Sequence, residues 1–385
     1  MSIGDAIQNH SETAPLLPES GRDGEIGHDE FNGASFTGAV FNLATTIIGA
    51  GIMALPATMK ILGLVPGIAM IVLMAILTDS TIEFLLRFSR IGKTRSYGSL
   101  MEDSFGITGK IVLQASVLVS NIGVLIVYMI IIGDVLAGKD EFGIHHAGIL
   151  EGWFGEYWWN TRTFVLLIST LLVFAPLTSF KRIVHNIHNE LEDPTQIKPV
   201  VRSALTVCSS VYVMTSLFGY LLFGESTLDD VLANFDTDLN IPFGSVLNDA
   251  VRFSYAAHLM LVFPIVFYPL RVNIDGLLFP KAPSLATSNL RFGSITAGLI
   301  AVIFVGANFI PSIWDAFQFT GATASVCIGF IFPAAVILKD RHNQATKRDK
   351  SLAIFVIVLA VFSNAIAIYS DAYALFEKNN STLAI

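Results

Sequence analysis

Two glycines around an alanine, in Ile48-Gly49-Ala50-Gly51-Ile52, precede Leu55-Pro56 and interrupt an apolar stretch running from Phe36 to Lys60. In hydrocarbon an unpaired backbone N–H or C=O is costly, so a membrane span is ordinarily one unbroken helix. A break of this kind at mid-membrane frees backbone groups for a ligand or an ion, and the half-helix ends add partial charges. The same residues also suit a small-residue packing seam, and the pattern alone leaves both readings open. Thr45 and Thr46, just before the break, place hydroxyls within reach of a ligand or of their own helix carbonyls, the commoner arrangement. His258 is the one histidine deep in an apolar stretch. An imidazole there serves as a proton relay or as a neutral donor between helices. Asp79, Glu83 and Arg87 recur at spacing four, which predicts a Glu83–Arg87 pair near the membrane surface rather than a gate.

Composition fixes the kind of element that must carry these groups. The chain has 385 residues, 53% hydrophobic and 14% charged, with a mean hydropathy of +0.64. Those values belong to a membrane protein rather than to a soluble domain. Apolar runs long enough to cross a bilayer predict about nine spans. They are 36–60, 64–86, 111–133, 163–180, 203–224, 253–270, 292–314, 316–338 and 351–370. The fold class is therefore an all-α integral membrane protein. Cys208 and Cys327 both fall inside spans, which points to buried free thiols. There is no HExxH, no Walker loop and no intramembrane Asp pair or Ser/His arrangement, so nothing points to an enzyme, a cofactor or a metal. Basic clusters with interleaved aromatics, the mark of nucleic-acid binding, are also missing.

The net charge of −8 informs through its distribution. Loops 87–110, 181–202, 271–291 and 339–350 hold the basic residues, whereas 134–162 and 225–252 are acidic. Basic loops stay cytoplasmic, so the alternation predicts a cytosolic N-terminus and a lumenal or external C-terminal tail, 377–385. Residues 1–34 are polar and predicted to be a disordered cytosolic tail. Within it, Glu12 precedes Leu16-Leu17 by four positions, the pattern of an acidic dileucine signal read by a sorting adaptor. Asn379 and Asn380 open two overlapping N-glycosylation sequons.

Asn42-Leu43 followed by the stretch Ile48 to Pro56 resembles the first span of the amino acid/auxin permease family, which includes vacuolar and sodium-coupled neutral amino acid transporters. His188-Asn189-Glu190-Leu191-Glu192-Asp193-Pro194-Thr195 resembles the end of that family's sixth helix. Phe317-Gln318-Phe319-Thr320-Gly321-Ala322-Thr323, with Pro333-Ala334-Ala335, resembles its tenth. The likeness covers nearly all of residues 33–376 and is closest to the plant vacuolar branch. It implies a transmembrane domain over 35–376 with the LeuT-type inverted-repeat fold, about nine spans here instead of eleven. It further implies an amino acid carried by alternating access, in a vacuolar or other endomembrane. The α-carboxylate would meet amides near Gly51 and Ile52, and the α-ammonium carbonyls near Ile48 and Gly49, around Ala50. Gln318 and Thr320 would stand beside the pathway. The stretch Leu259 to Pro264 is apolar where sodium-coupled members use oxygen ligands, so proton coupling is expected ahead of sodium. Helix five and the first half of helix six have no counterpart, which places an internal deletion of roughly 40–60 residues at Ile183/Val184. A shortened form that does not transport is the alternative.

Overall fold

The computed structural model describes residues 35–94, 96–141, 144–179, 194–236, 242–280, 282–283, 285–310 and 321–382. Ser35 accepts from the Gly38 amide and starts α1, Phe36–Ile47. The helix stops where Ile48 turns to ψ 86° and Gly49 to ψ −161°. A 3-10 turn, Ala50–Ala54, then leads into α2, Leu55–Leu62, with Pro56 in its first turn, where a missing N–H breaks no helix bond. The two halves meet at 58°. Gly63, at φ 85°, turns the chain into α3, Leu64–Ile91, a conformation that favours a residue without Cβ. A Ser96/Ser99 capping box opens α4, Tyr97–Ala137, which kinks at Gly106.

An antiparallel hairpin follows, β1 Gly138–Glu141 against β2 Ile144–Ala147. It is the one departure from the all-α expectation among the described residues, and it lies in a loop where backbone pairing replaces helix bonds. The remaining helices are α5 (Ile149–Phe154), α6 (Arg162–Thr178), α7 (Ile197–Phe223), α8 (Gly244–Leu278), α9 (Asn289–Phe309), α10 (Thr323–Lys339) and α11 (Lys347–Thr382). Six helices among the described residues are long and apolar enough to cross a membrane, up to seven when the broken pair counts as one span. The other two expected spans correspond to α6 and α10, which are shorter apolar helices. Length and composition therefore do not establish nine. Helix α11 continues to Thr382, beyond the expected span end at 370 and through the sequons at Asn379 and Asn380.

The run Leu125–Val135 explains why α4 is central. Up to Ile132 its residues are apolar on every side apart from the Tyr128 hydroxyl, and a helix of that kind is stable only when surrounded. Beyond it, Asp134 pairs with Arg162 of α6. Ile130, Ile131 and Ile132 are wholly buried, in one core with residues of α6, α8, α9 and the break. Along the other side, α7 packs on both halves of the broken span. Gly219 permits that approach, since a Cβ there would lie 2.7 Å from Pro56 Cγ.

The expected Glu83–Arg87 pair is corrected. Arg87 pairs with Asp349 on α11 at 2.6 Å, and Glu83 with Lys198 on α7 at 2.8 Å. Arg202 reaches Asp79 at 3.3 Å and Glu83 at 3.5 Å. Neighbouring helices offer partners closer than the next turn does, so the stripe ties α3 to α7 and α11.

Candidate functional site

Unwinding at Ile48 and Gly49 strips helix acceptors and donors of their usual partners. The carbonyls of Ile47, Ile48 and Gly49 each find a side-chain donor from another helix. Tyr212 Oη donates to Ile47 O at 2.9 Å, and Tyr255 Oη to Gly49 O at 3.0 Å. His258 Nε2 lies 3.2 Å from Ile48 O, so this nitrogen carries the hydrogen. Tyr128 closes the site from α4, its hydroxyl 2.9 Å from where a Cβ on residue 49 would stand. A methyl group on Gly51 would meet nothing within 4 Å. The break is thus tight on the Gly49 side and open on the Gly51 side.

Helix α7 holds both halves of the span from one stripe. Cys208 Sγ donates to Ala44 O at 3.6 Å, Tyr212 to Ile47 O, and Ser216 Oγ to Leu55 O at 3.0 Å. Residues 208, 212 and 216 recur every four positions, so they share a face. Tyr255 and His258 stand one turn apart on α8 and serve the two middle carbonyls. Beside this arrangement lies a cavity of about 310 Å³ between α2, α3 and α7, lined by Leu55, Met59, Met70, Met74 and Tyr212 among others.

Chemically, the site presents acceptors and donors of the backbone rather than fixed charges. A carbonyl oxygen has two lone pairs, so Ile48 O keeps acceptor capacity beyond the bond from His258, whereas Gly49 O is already shared by Tyr255 and the Ile52 amide. At the start of the 3-10 turn the Ala50 and Gly51 amides have no acceptor within the turn, and they sit at its positive end. An ammonium and a carboxylate on one carbon match that pair of features.

The expected residues fall as follows. Ile48, Gly49, Ala50, Gly51 and Ile52 form the break, and His258 reaches it. The Ile52 amide returns to Gly49 O at 3.3 Å. Thr45 bonds back to Phe41 O and Asn42 O at 2.9 and 3.1 Å, and Thr46 to Asn42 O at 2.7 Å. Both hydroxyls are therefore engaged within their own helix. Gln318, Thr320, Glu12, Leu16, Leu17 and the Ile183–Val184 junction lie outside the described residues. Tyr128, Tyr212, Ser216 and Tyr255 were not expected. The spacing of 208/212/216 and of 255/258 marks one face of each helix, but nothing in the sequence names the carbonyls that those side chains meet.

Comparison with known proteins adds the family. The profile of the family described as transmembrane amino acid transporter protein matches residues 32–186 and 179–375, two stretches that overlap at 179–186. Amino acid transporter AVT6B of Arabidopsis thaliana is 70% identical over 437 residues, covering 95% of this chain and 96% of that protein. Amino acid transporter AVT6A of the same plant is 67% identical over 434 residues, covering 95% and 94%. Both alignments are longer than the 385 residues of this chain, so each includes residues of the relative with no counterpart here. Human solute carrier family 38 member 10 is 22% identical over 379 residues, covering 82% of this chain and 33% of that protein.

Proposed function

We propose that this chain, which belongs to the family of transmembrane amino acid transporter proteins, moves amino acids across a membrane by alternating access at the break in its first span. One observation carries the reading: three consecutive carbonyls are released from a helix at mid-span and face hydrogen-bond donors from α7 and α8. A substrate ammonium competes for the carbonyls of Ile48 and Gly49. Its carboxylate meets the Ala50 and Gly51 amides, and the likeness of 317–323 to the family's tenth helix makes Gln318 and Thr320 candidates for the substrate path.

The fold we assign is the LeuT-type inverted repeat, with the helix pair between α6 and α7 shortened. Two findings support the shortening. The family match restarts at 179–186, around Ile183–Val184, and the alignments to relatives exceed the length of the chain. A vacuolar or other endomembrane location follows from the likeness to the plant vacuolar branch and from Glu12 with Leu16-Leu17 as an adaptor signal. The basic character of every second loop supports a cytosolic N-terminus.

For coupling, His258 is the proton carrier. It is the imidazole bonded directly to a carbonyl of the break, beside the phenols of Tyr212 and Tyr255, and the apolar Leu259-to-Pro264 stretch offers no side-chain oxygen for sodium.

Uptake by the purified full chain in proteoliposomes tests the reading. Labelled amino acids should accumulate under a proton gradient and exchange in counterflow. Absence of both uptake and counterflow for neutral and acidic amino acids would sink it and leave a shortened, non-transporting form.

A further inference from the structure

The loop between the hairpin and α6 carries the most concentrated aromatic surface on the chain. Three of its four tryptophans, Trp153, Trp158 and Trp159, fall within seven residues alongside Phe154 and Tyr157. Trp153 is 59% exposed, Phe154 54%, Tyr157 56% and Trp158 74%. The rings are organised. Tyr157 stacks on Trp159 with centroids 5.8 Å apart, Phe154 meets Trp159 edge-on at 5.4 Å, and Trp158 meets Phe164 edge-on at 5.1 Å.

The loop backbone is fixed as well. The Asn160 side chain donates to Gly155 O at 2.7 Å and accepts from the Tyr157 amide at 3.0 Å. Trp153 Nε1 donates to Asp249 at 2.8 Å, which ties the loop to the start of α8. Such a surface costs free energy in water, and its order shows that the exposure is built in rather than the result of a loose loop.

Helix α6, which this loop feeds, supplies the reason. At about 1.5 Å per residue, positions 162–178 span only about 25 Å, short of the roughly 30 Å hydrocarbon layer. A short span must thin the bilayer or be extended by flanking anchors. Trp and Tyr suit the second role, since their rings enter the acyl boundary while an N–H or O–H stays among headgroups.

We propose that residues 153–159 form an aromatic anchor seated in the headgroup–acyl boundary of the bilayer, completing the apolar length that α6 lacks. The occupant is phospholipid rather than protein, because the patch continues directly into a membrane-scale helix. Arg162, at the junction of loop and helix, pairs with Asp134 of α4 at 3.1 Å and so enters that boundary neutralised.

Tryptophan fluorescence of the full chain carrying Trp314→Phe, reconstituted in phosphatidylcholine vesicles, isolates the three loop tryptophans. Lipids brominated near the headgroup end of the acyl chain should remove about half of the emission or more, and lipids brominated near the tail end far less, as for a boundary-seated ring. Emission quenched by aqueous iodide and untouched by either bromolipid would overturn the proposal. So would blue-shifted emission untouched by both quenchers, since a protein would then cover the patch. If Trp314→Phe does not fold, Trp314→Tyr excited at the red edge of tryptophan absorption gives the same readout.

Discussion

At the residue scale the two glycines of the break have different work. Gly49 has no room for a side chain, because Tyr128 Oη would stand 2.9 Å from an added Cβ. Gly51 has open space. Gly49→Ala should therefore lower thermal stability and uptake together, whereas Gly51→Ala should keep the melting temperature and raise the KM for amino acid. Equal stability losses in the two variants would refute this division. For His258, glutamine is the informative replacement, since it keeps a donor for Ile48 O but carries no proton. His258→Gln should retain stability and flatten the dependence of uptake on the proton gradient, and an unchanged dependence would remove His258 from coupling. Asp340 carries a separate prediction in the loop between α10 and α11. Burial pushes its carboxyl up, but the Lys350 ammonium at 2.9 Å and the Ala345 and Gln344 amides outweigh burial and hold it below the ordinary carboxylate value. A group depressed in the folded state stabilises above its unfolded pKa, and that contribution is lost as pH falls through the folded value. Asp340→Asn suits the same left-handed backbone, φ 42°. Its melting-temperature deficit in detergent should be present near neutrality and close in acid.

At the element scale, α7 is a splint on the broken span. Its stripe of Cys208, Tyr212 and Ser216 reaches carbonyls on both sides of the break, so the bend of 58° is held by another helix rather than by the span itself. Tyr212→Phe removes one hydrogen bond from Ile47 O, which keeps the Gly49 amide at 2.9 Å, a loss of about 0.5–1.5 kcal/mol by the usual net worth of a hydrogen bond. Thermal unfolding of the reconstituted protein should show it, and substrate should restore part of the difference. An unaltered transition would mean that the Gly49 amide alone suffices for Ile47 O and that Tyr212 does not hold the bend. The break itself was legible because glycine and proline act locally, on their own backbone. Its partners were not, because Tyr212 and Tyr255 meet main-chain carbonyls more than 160 residues away, and a carbonyl leaves no mark in the sequence. The same reason accounts for Arg87, where spacing within one helix suggested Glu83 and the neighbouring helix supplied Asp349. Apolar length identified the long helices, and at α6 and α10 it found apolar helices of shorter described length, whose interior turns of π-helix, Thr170–Phe174 and Cys327–Ile331, no periodicity announces.

For the whole molecule, loop contacts follow the charge pattern where they can be compared. Two of the four basic loops meet, since Arg87 pairs with Asp349, and Arg341 and His342 both reach Asp103. The acidic loops also meet, through His146 with Asp236 at 2.7 Å and Trp153 with Asp249 at 2.8 Å. Loops that touch lie at the same end of the helices, which is the grouping that the charge alternation expects of these pairs. Under the proposed shortening, α6 and α7 flank an even number of missing crossings, and an even loss leaves every later loop on its side. The relatives carry residues that this chain lacks, and if those residues serve the substrate path the transport rate, rather than the folding, should bear the cost. Inserting between Ile183 and Val184 the stretch that AVT6B has in addition should raise amino acid uptake per molecule while leaving the contacts of α4, α7 and α8 unchanged. Uptake by the two chains, measured side by side in proteoliposomes and normalised to protein, gives the answer. A clear increase means that the shortened segment formed part of the substrate path. Equal rates mean that the break, held by α7 and α8, suffices for transport as the chain stands.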